Sequence, residues 1–325
     1  MKIAVTGANG HVGANLCRSL LAEGHQVKAL VHQNINSLKG LNIEIVQGSL
    51  HDLNALRSLC KDAEIVFHLA AMISIDGHKN KLLEVNVEGT KNLIKVIQEN
   101  GVRRLIHFSS IHALSHFPLD QPMDETRPLV KEGPMWYEIT KSKAEKIVLD
   151  ATIGGLDAVV INPTAIVGPN DFKPSLVGTA LIRLYNNTLP ALVPGGYNWV
   201  DVRDIVQGAI AAMDKGRKGE RYILGGKWVS IKDLALIVEK VTGKRVIKFM
   251  IPTPIAKIGV PFIKAYGWIA KQEPLYTFES LRALREVNTM ISHEKANTEL
   301  GYSSRDFEIT IRDTMDWFQL HGYLK

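Results

Sequence analysis

The chain has 325 residues, 46% of them hydrophobic and 22% charged, with a net charge of +6. That balance excludes a disordered or fibrous chain, and the length suits one doubly wound domain plus a smaller lobe. The basic excess is scattered, with one short cluster at Lys215, Arg217 and Lys218, so it forms no stripe of the kind a nucleic-acid partner requires.

Cys17 and Cys60 are too few for a disulfide framework and have no metal-ligating neighbour at short spacing, so they read as reduced core residues and no metal is expected. Met1 and Lys2 run directly into an apolar stretch, leaving no room for a signal peptide. No apolar run reaches the length that crosses a bilayer. A cytoplasmic chain without a membrane span is the expectation.

Ile3, Ala4 and Val5 form a short apolar run suited to a buried parallel strand. The run stops at Gly7, and from Val12 through Leu16, Leu20 and Leu21 the apolar spacing becomes helical. Gly7, Gly10 and Gly13 therefore fall in a strand-to-helix turn. Gly7 permits the tight turn, Gly10 the close approach of a pyrophosphate, and Gly13 close packing of helix on strand. The free N–H groups of the first helical turn would face the anion, helped by the helix dipole.

Gln26 to Val31 reads as the second strand, and the residues just beyond its end bear on the cofactor. A carboxylate there would bind the adenosine ribose and favour NAD, whereas its absence admits the 2′-phosphate of NADP. The residues are Val31, His32, Gln33 and Asn34, with Lys39 beyond. No acid is present, so NADP is expected, with NAD the alternative.

Asn42 to Val46 reads as a third strand, followed by Ser49, Leu50 and a helix that Asp52 can cap. Glu64 to Leu69 reads as a fourth, ending in Ala70 and Ala71, small enough to let backbone sit beside a ribose. Lys81 to Gln98 reads as a long helix carrying Asn86, and Arg103 to Ser109 as a fifth strand ending at Ser110. The alternation implies right-handed crossovers and a parallel sheet. Downstream, a helix begins at Trp136, and Tyr137 and Lys141, four apart, share a face of it. A phenol has an ordinary pKa of about 10, and a nearby ammonium together with the charge of an oxidised nicotinamide would lower it. Ser110 is placed to hold a substrate oxygen beside Tyr137.

Taken together, these motifs resemble the extended short-chain dehydrogenase/reductases, the NAD-dependent epimerase/dehydratase superfamily, in its dihydroflavonol-reductase-like branch. The likeness spans nearly the whole chain. It implies that Thr6, Gly7, Asn9, Gly10, His11, Val12 and Gly13 form the cofactor loop, and that Ser110, Tyr137 and Lys141 form the catalytic set, with Asn86 near it. It also implies that His32, Ser49, Leu50, Leu69, Ala70 and Ala71 border the nucleotide. Pro163, Thr164 and Ile166 would lie beside the nicotinamide. Departures from the family are Ser49 where an aspartate is usual, Ala113 to Ser115 where sugar-nucleotide enzymes carry Val-Tyr-Gly, and Asn162 where an arginine is usual. They point toward carbonyl reductases and away from sugar epimerases.

The expected architecture is α/β: a doubly wound parallel (Rossmann) sheet over residues 1–170, rejoined by about 201–226, with 171–200 and 227–325 forming a smaller interleaved substrate lobe. Leu176 to Asn186, Arg203 to Met213 and a capped segment from Ser230 to Gly243 read as helices, and Arg221 to Leu224 as a strand. Phe249 to Ala270 is apolar but interrupted by Pro252, Pro254 and Pro261, with Lys257, Lys264 and Lys271 at seven-residue spacing. It reads as a lobe core element with a solvated lysine face, the alternative being a helix resting on an anionic membrane. Ser292 to Tyr302 and Ile309 to His321 read as amphipathic helices. His112, Phe117, Trp136, Asn186, Tyr197 and Trp199 are candidates for shaping a hydrophobic small-molecule substrate site. Leu93, Ile94 and Ile97 could serve a homodimer or the core. The expected activity is hydride transfer between NADP(H) and a carbonyl or alcohol. The alternative is an NAD-dependent epimerase or dehydratase of nucleotide sugars.

Overall fold

The computed structural model describes the chain apart from residues 33, 74–77, 134, 248, 271–275 and 286, and apart from the side chains of 262–270, 279 and 283. In chain order the first elements are β1 (Lys2–Thr6), α1 (His11–Ala22), β2 (Gln26–Val31), β3 (Glu44–Gln47), α2 (Leu53–Cys60) and β4 (Ile65–His68). Next come α3 (Lys79–Leu82), a π-helical stretch (Leu83–Glu88), α4 (Gly89–Glu99), β5 (Arg104–Phe108), α5 (Trp136–Ile153), β6 (Ala158–Pro163) and β7 (Ala165–Val167). Then follow α6 (Leu176–Tyr185), β8 (Gly196–Asp201), α7 (Val202–Lys215), β9 (Arg221–Leu224), β10 (Lys227–Ser230) and α8 (Ile231–Thr242). The chain closes with α9 (Thr253–Ala270), α10 (Phe278–Ala283), α11 (Glu294–Leu300) and α12 (Phe307–Leu320).

Among the described residues, seven strands form the main sheet in the order β3-β2-β1-β4-β5-β6-β9, all neighbours parallel. Both faces are covered. Ile3 and Val5 lie in one core with Leu16 of α1 and Ile205 of α7, whereas Ala4 lies in the other with Leu56 of α2, Leu93 of α4 and Val148 of α5. This two-sided burial is why the strands read as continuous apolar runs without alternation. Cys17 sits in the first core and Cys60 in the second, and burial pushes each thiol up to about 12. Leu93, Ile94 and Ile97 are buried within this chain, so they serve the core.

The strand order reverses at β1, which places the carboxyl ends of β1 and β4 on either side of a crevice. Asp52 caps α2 as expected, accepting from the Asn54 and Ala55 amides. At α8 the capping box closes one way only: Ser230 accepts the Asp233 amide, while the Asp233 carboxylate accepts from the Ser230 hydroxyl and not from its backbone. The helix read over 81–98 is not uniform; its π-helical stretch widens the turn around Asn86.

A second sheet, ordered β10-β8-β7, packs with α6, α8 and α12 around Trp199. Beside it α9 continues through Pro261 and buries Ala256 and Val260 with Leu281 of α10. Its Ile255 and Ile258 are 55% and 70% exposed, so the solvated side carries apolar residues as well as Lys257. The Lys264 side chain and Lys271 lie outside the described residues. Among the described residues, no helix is long and apolar enough to cross a membrane.

Arg104, at the amino end of β5, donates to Asp157 through Nε and Nη2 at 3.0 and 2.9 Å and to the carbonyls of Ala212, Met213 and Gly216 at 3.2, 2.9 and 3.0 Å. One guanidinium thus fastens the end of α7 beneath the sheet. Arg104→Ala is expected to lower unfolding stability by about 2 kcal/mol or more, since several acceptors lose their donor at once. Urea titration of the purified variant checks this, and a loss below about 0.5 kcal/mol would contradict it.

Candidate functional site

At the crevice, the loop between β1 and α1 is held by backbone contacts that leave no space for side chains. Gly7 has φ +72°, and a Cβ there would stand 2.6 Å from the Ala70 nitrogen at the end of β4. A Cβ on Gly13 would stand 2.2 Å from the Gly7 oxygen. Gly10 is the N-cap of α1 and offers no side-chain cap to the first-turn amides. Those donors suit a phosphate oxygen, and the groove over Gly10 is free of a Cβ, so the loop fits the pyrophosphate of a dinucleotide.

The flanking side chains fasten the loop to its neighbours. Asn9 Nδ2 donates to the Asn34 carbonyl at 3.0 Å, and His11 Nε2 lies 3.1 Å from the carbonyls of Gly168 and Pro169. Val12 packs against the first core. Asn15, overlooked in the sequence, donates to the His11 and Pro169 carbonyls; its signal was an asparagine on the buried side of α1. Beyond β2, Val31 is buried whereas His32, Asn34 and Lys39 are exposed. Ser49 Oγ accepts the His51 amide. The Leu50 side chain is buried, facing Gly89 where a Cβ would lie 2.7 Å away. Leu69 and Ala70 are half-buried and Ala71 is exposed. Pro163 is buried, Ile166 half-buried against the first core, and Thr164 is buried with its hydroxyl unpartnered among the described residues.

Ser110 follows β5, and its Oγ accepts the His112 amide at 3.2 Å. Its hydroxyl acts on the Tyr137 phenol in the sense that favours the ionised form. Burial pushes the Tyr137 pKa up, the Ser110 hydroxyl draws it down, and Glu138 adds a further push upward. Lys141, 3% exposed, donates to the Phe108 carbonyl at 2.7 Å. Burial lowers it to about 8, opposed by Glu145. The expectation from the spacing on α5 is that Lys141 and the charge of an oxidised nicotinamide together lower the phenol. The Lys141 ammonium is drawn to Phe108, and the protein's own groups push Tyr137 upward.

Asn86 joins three elements. Its Oδ1 accepts the Met72 amide at 2.7 Å, and its Nδ2 donates to the Met72 carbonyl at 3.0 Å and to Thr140 Oγ1 at 3.1 Å. A buried relay that the sequence did not disclose arrives at the same residue. Thr90 donates to the Asn86 carbonyl at 2.7 Å, so its oxygen accepts from His68 Nε2 at 3.0 Å, and His68 Nδ1 accepts from Thr6 at 2.7 Å. These directions assign the Nε2–H tautomer to His68. Burial holds its pKa down to about 3, so the ring is neutral. His107 lies beside it at 5.2 Å, buried and unpartnered at both nitrogens among the described residues.

A cavity of about 450 Å³ is lined by His112 and Phe117 and by Leu129, Met135, Glu138 and Val287, the His112 ring standing 6.4 Å from that of Tyr137. Of the residues expected to shape it, His112 stands 3.4 Å from Glu138, and Phe117 is 55% exposed. Trp136 instead faces the Lys79 ammonium. Trp199 is a core residue bonded to the Val229 carbonyl, with Tyr197 stacked edge-on against it, and Asn186 accepts the Lys325 amide. Their apolar or polar character alone could not separate core and surface positions from cleft positions. Among the described residues no cluster could hold a metal ion.

Comparison with known proteins gives this geometry a context. The profile of the NAD dependent epimerase/dehydratase family matches residues 3–225. The chain is 34% identical over 330 residues to sterol demethylase protein B of Methylococcus capsulatus, covering 100% of both chains. It is 28% identical to 4-hydroxy-2-methyl-3-oxo-4-farnesyl-3,4-dihydroquinoline-1-oxide ketoreductase of Stigmatella aurantiaca, covering 94% of this chain and 92% of that protein. The crystal structure of gox2253 superposes with a TM-score of 0.85 at 32% identity, covering 100% and 99% of the two chains.

Lys141 makes a stability test possible. An unfolded lysine keeps a pKa near 10.5 while the folded one is lowered to about 8, so below pH 8 both states are protonated and the buried charge is a standing cost. Between the two values the folded chain sheds a proton that the unfolded chain retains, and stability rises with pH. Lys141→Met is therefore expected to be more stable than the parent at pH 7 by about 1 kcal/mol or more, with the gap narrowing by pH 9.5. Urea unfolding at the two pH values measures it; a variant less stable at pH 7 would refute the account.

Proposed function

The chain belongs to the NAD-dependent epimerase/dehydratase family and is an NAD(P)-dependent enzyme of the extended short-chain dehydrogenase/reductase type; from that premise we propose that it moves a hydride between NADP(H) and the carbonyl or alcohol carbon of a small hydrophobic substrate. The reading rests on one arrangement: Ser110 at the carboxyl edge of β5, its hydroxyl acting on the phenol of Tyr137, and Lys141 one turn beyond Tyr137 on α5. When bound, the nicotinamide supplies or accepts the hydride. Ser110 polarises the substrate oxygen, and Tyr137 gives that oxygen its proton, or takes it in the reverse direction. Lys141 spends one of its three donors on Phe108 and keeps two for ribose hydroxyls. Asn86, through Thr140, holds the start of α5 at the end of β4. Gly7, Gly10 and Gly13 with the first turn of α1 hold the pyrophosphate.

Support for NADP comes from residues 31–40, which contain no acid and expose His32, Asn34 and Lys39. A hydrophobic substrate is supported by Phe117, Leu129, Met135 and Val287 in the cavity wall. The sterol and farnesyl groups in the names of the two relatives agree with it.

Tyr137→Phe keeps the ring and removes the proton, so dinucleotide binding is expected to survive while turnover falls by about 100-fold or more. Near-normal turnover under conditions where chemistry limits the rate would remove Tyr137 from its role. For the cofactor, the exposed His32 is the position to alter, since a carboxylate at the buried Val31 would be taken out of water. The wild type is expected to bind NADPH more tightly than NADH, and His32→Asp to reverse the order by repelling the 2′-phosphate. Fluorescence titration of both nucleotides decides this, and tighter NADH binding by the wild type would favour an NAD-retaining epimerase or dehydratase.

A further inference from the structure

We propose that Glu145 is a positioning residue for Lys141, and that Arg221 is the counter-charge that keeps Glu145 ionised and ties it to the wall of the substrate cavity. The proposal rests on the cofactor-binding role given to Lys141 above. Glu145 is one turn beyond Lys141 on α5 and 0% exposed. Its Oε2 accepts from Asn162 Nδ2 of β6 at 2.8 Å, and its Oε1 lies 3.1 Å from Arg221 Nε of β9. The same Asn162 nitrogen donates to the Ser110 carbonyl at 3.0 Å. One carboxylate is therefore linked to the backbone of Ser110 through Asn162 and stands one turn along the helix from Lys141, whose ammonium it favours electrostatically.

Arg221 extends the arrangement outward. Its Nη1 donates to the carbonyls of Glu125 and Arg127 at 3.4 and 3.2 Å, and Ile223 of the same strand donates to the Glu125 carboxylate at 2.8 Å. That segment continues into Pro128, Leu129 and Val130, which line the cavity, and Ser142 of α5 donates to the Val130 carbonyl at 2.6 Å.

The charge is the telling part. A glutamine could accept from Asn162 with the same shape, and a buried ion pair adds little stability over a neutral substitute. What a glutamine cannot do is oppose loss of the proton from Lys141. The groups acting on Lys141 are Glu145 on its own helix and the His68 and His107 rings of β4 and β5, both neutral, with Tyr137 one turn back. Burial drives the ammonium toward its neutral form, and Glu145 is the group that resists. Burial pushes the Glu145 carboxyl up, and Arg221 is the foremost of the groups that oppose this, with Asn162 and Lys141 beside it.

The test is dinucleotide affinity as a function of pH, measured by fluorescence of NADPH and NADH with wild type and Glu145→Gln. In the wild type, affinity is expected to weaken as pH rises through the alkaline range where Lys141 loses its proton. Glu145→Gln should move that midpoint down by about one pH unit, with affinity at pH 6 little changed. Arg221→Gln leaves Glu145 in place but easier to protonate, and should move it in the same direction by less; it serves if Glu145→Gln does not fold. Arg221→Lys keeps the charge and loses the fork, so the midpoint should stay while substrate KM rises more than kcat falls. A folded Glu145→Gln or Arg221→Gln with the wild-type midpoint overturns the proposal. A wild type that binds neither nucleotide overturns the reading on which it rests.

Discussion

The site depends on two backbones meeting without side chains between them. Gly7 turns the chain out of β1 directly against the Ala70 amide at the end of β4, and no residue with a Cβ fits there. Because these strands flank the point where the sheet order reverses, their closeness sets the depth of the crevice and aims the first turn of α1 into it. Gly13 completes the constraint by seating the helix on the Gly7 carbonyl. Without these approaches the sheet would remain, but its edge would lack this crevice.

From that edge the order is carried inward by hydrogen bonds that run in one direction. Thr6 donates to His68, His68 to Thr90, and Thr90 to the Asn86 backbone, whose side chain holds Met72 and Thr140. The neutral state of His68 is essential, because a protonated ring would have no acceptor to offer Thr6. The π-helical stretch lets one asparagine serve a strand end and a neighbouring helix together. The loop at β1 and the helix bearing Tyr137 are thus parts of one hydrogen-bonded body.

Much of this was legible in the residues. The glycine spacing, the alternation of strands and helices, and the separation of Tyr137 from Lys141 each follow from local rules of period and turn chemistry, and the parallel sheet agrees with them. What stayed hidden depends on contacts between residues far apart in the chain. Nothing near Lys141 indicates that its ammonium would turn to Phe108, and nothing near Glu145 indicates that its partner stands on β9. The substrate-side residues were the hardest to assign. Trp199 reads in sequence like any cleft aromatic, yet it fills the core of the second sheet. Aromatic composition does not distinguish a pocket from a core when both are apolar.

The two thiols have a use that their burial creates. Cys17 lies in the helix layer on one face of the sheet and Cys60 in the layer on the other. Each is held as an unreactive thiol until its own layer opens, so the chain carries one natural reporter per layer. Alkylation followed by mass spectrometry would give a separate opening free energy for each side of the sheet without any engineered label. The two rates would show whether the layer holding α1 and the layer holding α5 come apart together or in sequence.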